Sequence, residues 1–310
     1  LSGPPSRSPH IVSASRRTDI PQFYGAWFAA RRKAGFCEAR TVFGTSYRTS
    51  LRPEDVIGWL FWSKNTAPFE SQLRGLLDEG AAVALQFTLN GYGPAIEANI
   101  PGLEITIPAF LRASKMLPSP TAIQWRYDPV VVCGAFDAAW HRANFRRIAS
   151  RLEGATRVCN TSIVEPYEKV IKRMGSGVAY RPLDPGRHRS VALKHPGLRQ
   201  AGEAEIALLA ELAQIARGHG IELRACCDPE TGLPPAACCA VELFEEYGIG
   251  EALSRLAAAP TRKGCRCLKA LDIGMDNTCP GGCAYCYVTG LPATAARNRA
   301  AHDPCAVRMR

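Results

Sequence analysis

The chain has 310 residues, 46% hydrophobic and 21% charged, with a formal net charge of +10. This is the composition of an ordinary soluble globular protein, long enough for one large α/β domain or one domain with a small appendage. No run of about eighteen apolar residues occurs, which argues against a membrane span and for a cytoplasmic chain. The basic surplus admits either nucleic acid as a partner or an enzyme with an Arg-rich surface.

The Ser/Pro-rich start, residues 1–9, lacks an apolar signal core and reads as a flexible lead-in. Short β-branched apolar runs follow at Ile11–Ser15, Val56–Trp62, Ala82–Thr88, Ala122–Arg126, Arg157–Ser162 and Ile221–Ala225. Helical patterns lie between them at Gln22–Ala34, Pro68–Asp78, Leu103–Met116, Ala138–Leu152 and Glu203–Gly218. This alternation predicts α/β architecture with a parallel sheet and outer helices, a barrel or partial (β/α) barrel. Arg181–Ala201, rich in Pro, Gly, Arg and His, reads as a long loop or lid. A further strand is expected at Lys269–Gly274. The expected divisions are βα units over 10–225, a cysteine-rich metal-binding region over 226–290 and a C-terminal tail over 291–310.

Ten of the thirteen cysteines lie from Cys226 onward. A disulfide scaffold would spread them; clustering in a chain without an export signal favours metal. Cys279, Cys283 and Cys286 form a C-x3-C-x2-C motif just after the strand at 269–274. Three thiolates on a small loop can each hold one iron of a 4Fe-4S cubane, leaving a fourth iron open to the amino and carboxylate groups of S-adenosylmethionine. Gly281 and Gly282 let the backbone turn tightly around it, and Tyr285 can cover one face. Zinc more often takes four ligands in C-x2-C pairs. A second site is available from Cys265 and Cys267 with the pairs Cys226/Cys227 and Cys238/Cys239. Cys226, Cys238, Cys265 and Cys267 are the preferred set, for an auxiliary 4Fe-4S cluster or zinc. Cys37, Cys133, Cys159 and Cys305 show no spacing pattern and read as small hydrophobes.

Cys-Pro-Gly-Gly-Cys-Ala-Tyr-Cys-Tyr at 279–287 resembles the cluster loop of the radical SAM superfamily, and most of all its spore photoproduct lyase branch. In that superfamily the loop follows the first strand; here it is near the C-terminus. Ser13–Pro21 resembles the segment after the second strand, Trp62–Asn65 the end of the third, Gln86–Leu89 the fourth and Arg126–Pro129 the fifth. The resemblance implies a circularly permuted radical SAM barrel, a rearrangement that closely spaced termini allow. The chain also resembles an uncharacterised bacterial family of unknown function over roughly residues 10–290, at Ser15–Asp19, at Trp125–Pro129 and at Cys265-x-Cys267 leading into Cys279.

The resemblance implies an enzyme in which a reduced cluster at Cys279, Cys283 and Cys286 cleaves S-adenosylmethionine to a 5′-deoxyadenosyl radical. An electron donor such as ferredoxin or flavodoxin would supply it. Ser15, Arg16, Thr18, Asp19, Lys64, Thr88, Arg126, Asp128 and Tyr285 are then candidates for contact with S-adenosylmethionine or substrate. Asp19 before Pro21 equally suits a helix cap, and Arg126–Asp128 equally suits a structural pair. His141 and His219 fall in helical stretches and read as structural; His188 and His195 belong to the basic loop. The contrasting reading is a non-catalytic zinc or iron–sulfur protein that binds nucleic acid or transfers electrons.

Overall fold

The computed structural model describes residues 9–41, 44–184, 186–259 and 263–310. The lead-in expected over residues 1–9 lies outside the described residues except for Pro9. Among the described residues there are nine strands: β1 (His10–Ala14), β2 (Phe36–Arg40), β3 (Ser46–Ser50), β4 (Val56–Ser63), β5 (Val83–Thr88), β6 (Ile123–Val130), β7 (Val158–Ile163), β8 (Glu222–Ala225) and β9 (Ala270–Asp272). Seven of them form one parallel sheet in the order β8-β7-β6-β5-β4-β1-β9. The chain therefore fills the sheet stepwise from β1 to β8, then returns to add β9 on the far side of β1. Strands β2 and β3 make a separate antiparallel hairpin.

The central strands are buried on both faces, which is why β4 (Val-Ile-Gly-Trp-Leu-Phe-Trp-Ser) reads as a nearly continuous apolar run. Alternate residues still sort to different layers. Val12, Trp59, Phe61, Val83, Leu85 and Phe87 join the main core. In that core they meet α2 (Gly25–Ala34), α3 (Glu70–Asp78), α4 (Leu103–Met116), α5 (Ala138–Leu152) and α8 (Glu203–Gly218). Their neighbours Ile11, Leu60 and Ala84 enter a second cluster with Cys238, Leu243, Phe244 and Leu253. That second face is partly polar: Gln86 and Asn160 both donate to Gln124 Oε1, each at 2.7 Å. Phe244 lies against Gly58 so closely that a β-carbon there would stand 2.9 Å from its ring.

The helix expected over Gln22–Ala34 is two helices, α1 (Ile20–Phe23) and α2, broken at Tyr24. The break puts the Tyr24 hydroxyl on the carbonyl of Thr278, 2.7 Å away. The Pro68–Asp78 pattern begins as a 3-10 turn at Ala67–Phe69. The expected loop Arg181–Ala201 contains α7 (Arg189–Lys194), and a bridge pairs Tyr180 with Gln200. Three further helices complete the described chain: α6 (Glu168–Met174), α9 (Gly250–Ser254) and α10 (Pro292–Ala300). The C-terminal segment packs onto the body: Trp27 Nε1 donates to Ala306 O at 2.9 Å, Arg31 to Cys305 O at 2.8 Å, and Met309 is buried. Cys37 and Cys159 are buried as expected of small hydrophobes, whereas Cys133 is half-buried and Cys305 exposed. His219 caps the end of α8, 3.0 Å from Glu153. Among the described residues no helix is long and apolar enough to cross a membrane.

His141 is fully buried on α5 between the Tyr127 hydroxyl (2.8 Å) and Val131 O (3.0 Å). Burial holds its pKa down at about 4. The unfolded chain, with an ordinary imidazole near 6.5, binds a proton here that the fold refuses. Stability attributable to His141 is therefore present above the unfolded value and lost as pH falls through the window down to about 4. Denaturant unfolding at pH 7 and pH 5 is expected to show a loss of about 2 kcal/mol from this group. His141→Gln, less stable at pH 7, should lack that part of the slope; an unchanged slope contradicts the assignment.

Candidate metal centre and its cavity

The short strand β9 ends in Asp272, and this carboxylate joins the cysteine loop to the front of the chain. It accepts from Ser13 Oγ (2.9 Å), Ser15 Oγ (2.6 Å), Arg16 N (2.9 Å) and Gly274 N (3.0 Å). Arg17 Nε adds an ion pair at 3.3 Å, and Arg17 also reaches Arg40 O and Asp276. One turn further on, Thr18 Oγ1 bonds Thr278 Oγ1 at 2.6 Å and Met275 O at 3.0 Å. The loop after β1 and the loop after β9 are thus one hydrogen-bonded unit.

Cys279, Cys283 and Cys286 follow at once. Gly282 has φ +69°, a left-handed conformation that favours glycine. A β-carbon on Gly281 would lie 3.1 Å from Ile100 Cδ1, 3.5 Å from Cys279 Sγ and 3.8 Å from Cys283 Sγ, so the backbone here runs close against both sulfurs. The segment after β5 holds the loop from one side: Asn99 N donates to Gly281 O (3.0 Å), Asn99 Nδ2 to Pro280 O (2.7 Å) and Ala284 N to Ile96 O (2.8 Å). Arg173 of α6 holds it from the other. Its guanidinium donates to the carbonyls of Ala284 (2.8 Å), Thr289 (2.9 Å), Gly290 (2.8 Å) and Cys286. Burial pushes the Cys279 thiol up to about 12 and Cys283 well above its ordinary value. Such thiols give up their protons to a soft metal ion rather than to water. Three cysteines on one tightly turned loop are a donor set of the kind that soft metal ions and iron–sulfur clusters take.

The ends of the neighbouring strands face the same space. One cavity of about 390 Å³, of ligand size, is lined by Ser15, Arg16, Thr18, Asp19, Lys64, Thr88, Arg126 and Asp128. Tyr285, Cys279, Cys283, Cys286, Cys226, Cys238, Cys265 and Cys267 line it too, so every candidate site residue meets here. Asp19 does cap α1, accepting from Gln22 N at 3.0 Å, and it also accepts from Ser63 Oγ (2.7 Å) and Lys64 N (2.8 Å). Burial raises it to about 6 despite those bonds. Lys64 Nζ pairs with Glu97 at 2.8 Å, and the Tyr285 hydroxyl and Asn90 Nδ2 donate to the same carboxylate. Arg126 pairs with Asp128, lies 5.0 Å over the Trp62 ring and donates to Cys238 Sγ at 3.0 Å. His188 approaches Glu165, another cavity residue, at 3.8 Å. None of the cysteines is in a disulfide. Among the described residues no three His, Cys, Asp or Glu side chains are arranged to hold a single ion.

A family model described as a domain of unknown function (DUF1848) matches residues 11–288. The chain belongs to that family. No curated protein matches it. The DUF1848 match runs from the second residue of β1 to just past Cys286, so the sheet and both sets of cysteines lie within the family domain.

Four residues that organise this DUF1848 site escaped the sequence reading: Asp272, Glu97, Asn90 and Arg173. Asp272 carried a signal, as the one acid in Lys-Ala-Leu-Asp-Ile-Gly immediately before the motif. The others act across long sequence separations and carried none. The Lys64–Glu97 pair is the most exacting feature, because removing one member of a buried ion pair strands the other. Lys64→Met is expected to cost about 3 kcal/mol in denaturant unfolding, and Lys64→Met/Glu97→Gln to recover part of it. Strictly additive costs would show that the pair is not coupled.

Proposed function

We propose that the chain is a radical SAM-type enzyme, with Cys279, Cys283 and Cys286 holding a 4Fe-4S cluster at the mouth of a permuted (β/α) barrel. The observation that carries this reading is the place of β9. It lies beside β1 in the parallel sheet and delivers the three cysteines to the cavity that the ends of β1, β4, β5 and β6 also line. A barrel whose first strand has moved to the C-terminal side would have this strand order.

When bound, such a cluster supplies the electron that splits S-adenosylmethionine into methionine and a 5′-deoxyadenosyl radical. The chain's own groups do the rest. The β1 loop, held by Asp272, presents Ser15, Arg16 and Thr18 to the cofactor. Asp19, Lys64 and Thr88 line the cavity, and Tyr285, which precedes the third cysteine in the chain, lines it too with its hydroxyl tied to Glu97. Trp62, Val164 and Tyr167 supply apolar wall that keeps water from a reactive intermediate. A ferredoxin or flavodoxin would deliver the electron.

Anaerobically reconstituted protein given dithionite and S-adenosylmethionine is expected to form 5′-deoxyadenosine. The Cys279/Cys283/Cys286→Ala variant is expected to form none. Wild-type protein that carries a cluster at these cysteines and yields no product would overturn the proposal.

A further inference from the structure

Three distant stretches meet beside the main cysteine loop. Cys226 follows β8 directly, and its amide donates to Thr161 O at 2.9 Å. The 234–239 turn is laced to β8: Ala225 N donates to Pro234 O and Ala236 N to Ala225 O, each at 2.9 Å. The 265–268 segment is laced to that turn, Leu268 N donating to Cys239 O at 2.8 Å. These backbone bonds hold cysteines from all three stretches together.

Six cysteines lie in this region, and the fold separates them. Cys226, Cys238, Cys265 and Cys267 line the cavity, and Cys227 and Cys239 do not. Cys227 sits at φ +56° with its α-carbon turned toward Gly264, and its carbonyl accepts from Arg181. Arg126, which is largely buried, donates to Cys238 Sγ at 3.0 Å. Asp128 and the Trp62 ring fix its orientation. A buried guanidinium directed at a thiol is poised to balance thiolate charge.

We propose that Cys226, Cys238, Cys265 and Cys267 form a second, four-thiolate metal centre facing the same cavity, with Arg126 as its positioning counter-cation. Binding releases the thiol protons and leaves four thiolates as ligands. A four-iron cluster, with one thiolate to each iron, is the group this set suits, since among the described residues no three such side chains are arranged around a single ion. The second centre stands independently of the first, because its ligands come from different segments.

The test uses the full-length chain carrying Cys279/Cys283/Cys286→Ala, so that metal bound elsewhere is counted alone. Purified anaerobically, it is expected to retain about four iron with four sulfide; zinc in place of iron overturns the cluster. Adding Cys265→Ser/Cys267→Ser should abolish it, while Cys227→Ser/Cys239→Ser should not. Adding Arg126→Gln should speed release to a chelator about tenfold, with Arg126→Lys restoring part of the retention. Thermal melting confirms that each variant folds. A folded triple variant without metal, or one whose metal survives loss of Cys265 and Cys267, overturns the site. Unchanged release from Arg126→Gln overturns the role of the arginine. The difference in metal between wild type and the triple variant reports on the first centre separately.

Discussion

The carboxylate of Asp272 is the constraint on which the rest of the site depends. Strand β9 is three residues long and contributes little burial of its own, since its residues are only half-buried. Its place at the sheet edge is secured by side-chain and loop bonds. Ser13, Ser15, the Arg16 amide and Arg17 all converge on one carboxylate, and the Tyr47 hydroxyl takes the Asp272 carbonyl. Because charged acceptors make the stronger hydrogen bonds, this junction can fix a strand too short to fix itself. Everything the cysteine loop does follows from where that strand ends.

The two faces of the sheet divide the work. The helix-covered face is filled by Trp125, Tyr127, Phe110, Phe145 and their aliphatic neighbours, and it supplies burial. The opposite face carries Gln86, Gln124, Asn160 and Arg126, and the cysteine-rich segments lie over it. Most of these buried polar groups pair, Gln86 donating on to Cys238 O and Gln124 on to Glu242, while Asn160 Oδ1 is left without a hydrogen bond. The same logic extends to the charges around the motif. Lys64 is matched by Glu97, and Arg173 is matched by four carbonyl oxygens. These networks specify one loop geometry where apolar packing alone would leave several.

Much of this was legible in the sequence. The α/β alternation, the parallel strands and the helices at Leu103–Met116, Ala138–Leu152 and Glu203–Gly218 follow from hydrophobic period, because burial enforces that period. The β2–β3 hairpin was missed: Phe-Cys-Glu-Ala-Arg and Ser-Tyr-Arg-Thr-Ser are short and mostly polar. The break at Tyr24 and the helix inside 181–201 were missed for a related reason. Tertiary bonds decide them, through Thr278 for Tyr24 and through the Tyr180–Gln200 bridge for the loop. At the site, the cysteines, the strand-end residues and Tyr285 could be named from motif and position. Glu97 and Arg173 could not, since a residue that serves a loop more than a hundred positions away leaves no local pattern.

The central claim is that Cys279, Cys283 and Cys286 hold a cluster with one iron open to S-adenosylmethionine. Electron paramagnetic resonance of the dithionite-reduced protein, recorded with and without S-adenosylmethionine, tests this before any turnover product is sought. A component of the cluster signal that is lost in the Cys279/Cys283/Cys286→Ala variant and changes on adding S-adenosylmethionine is the predicted result. A spectrum that the triple substitution leaves wholly unchanged, or that S-adenosylmethionine does not alter, would contradict it.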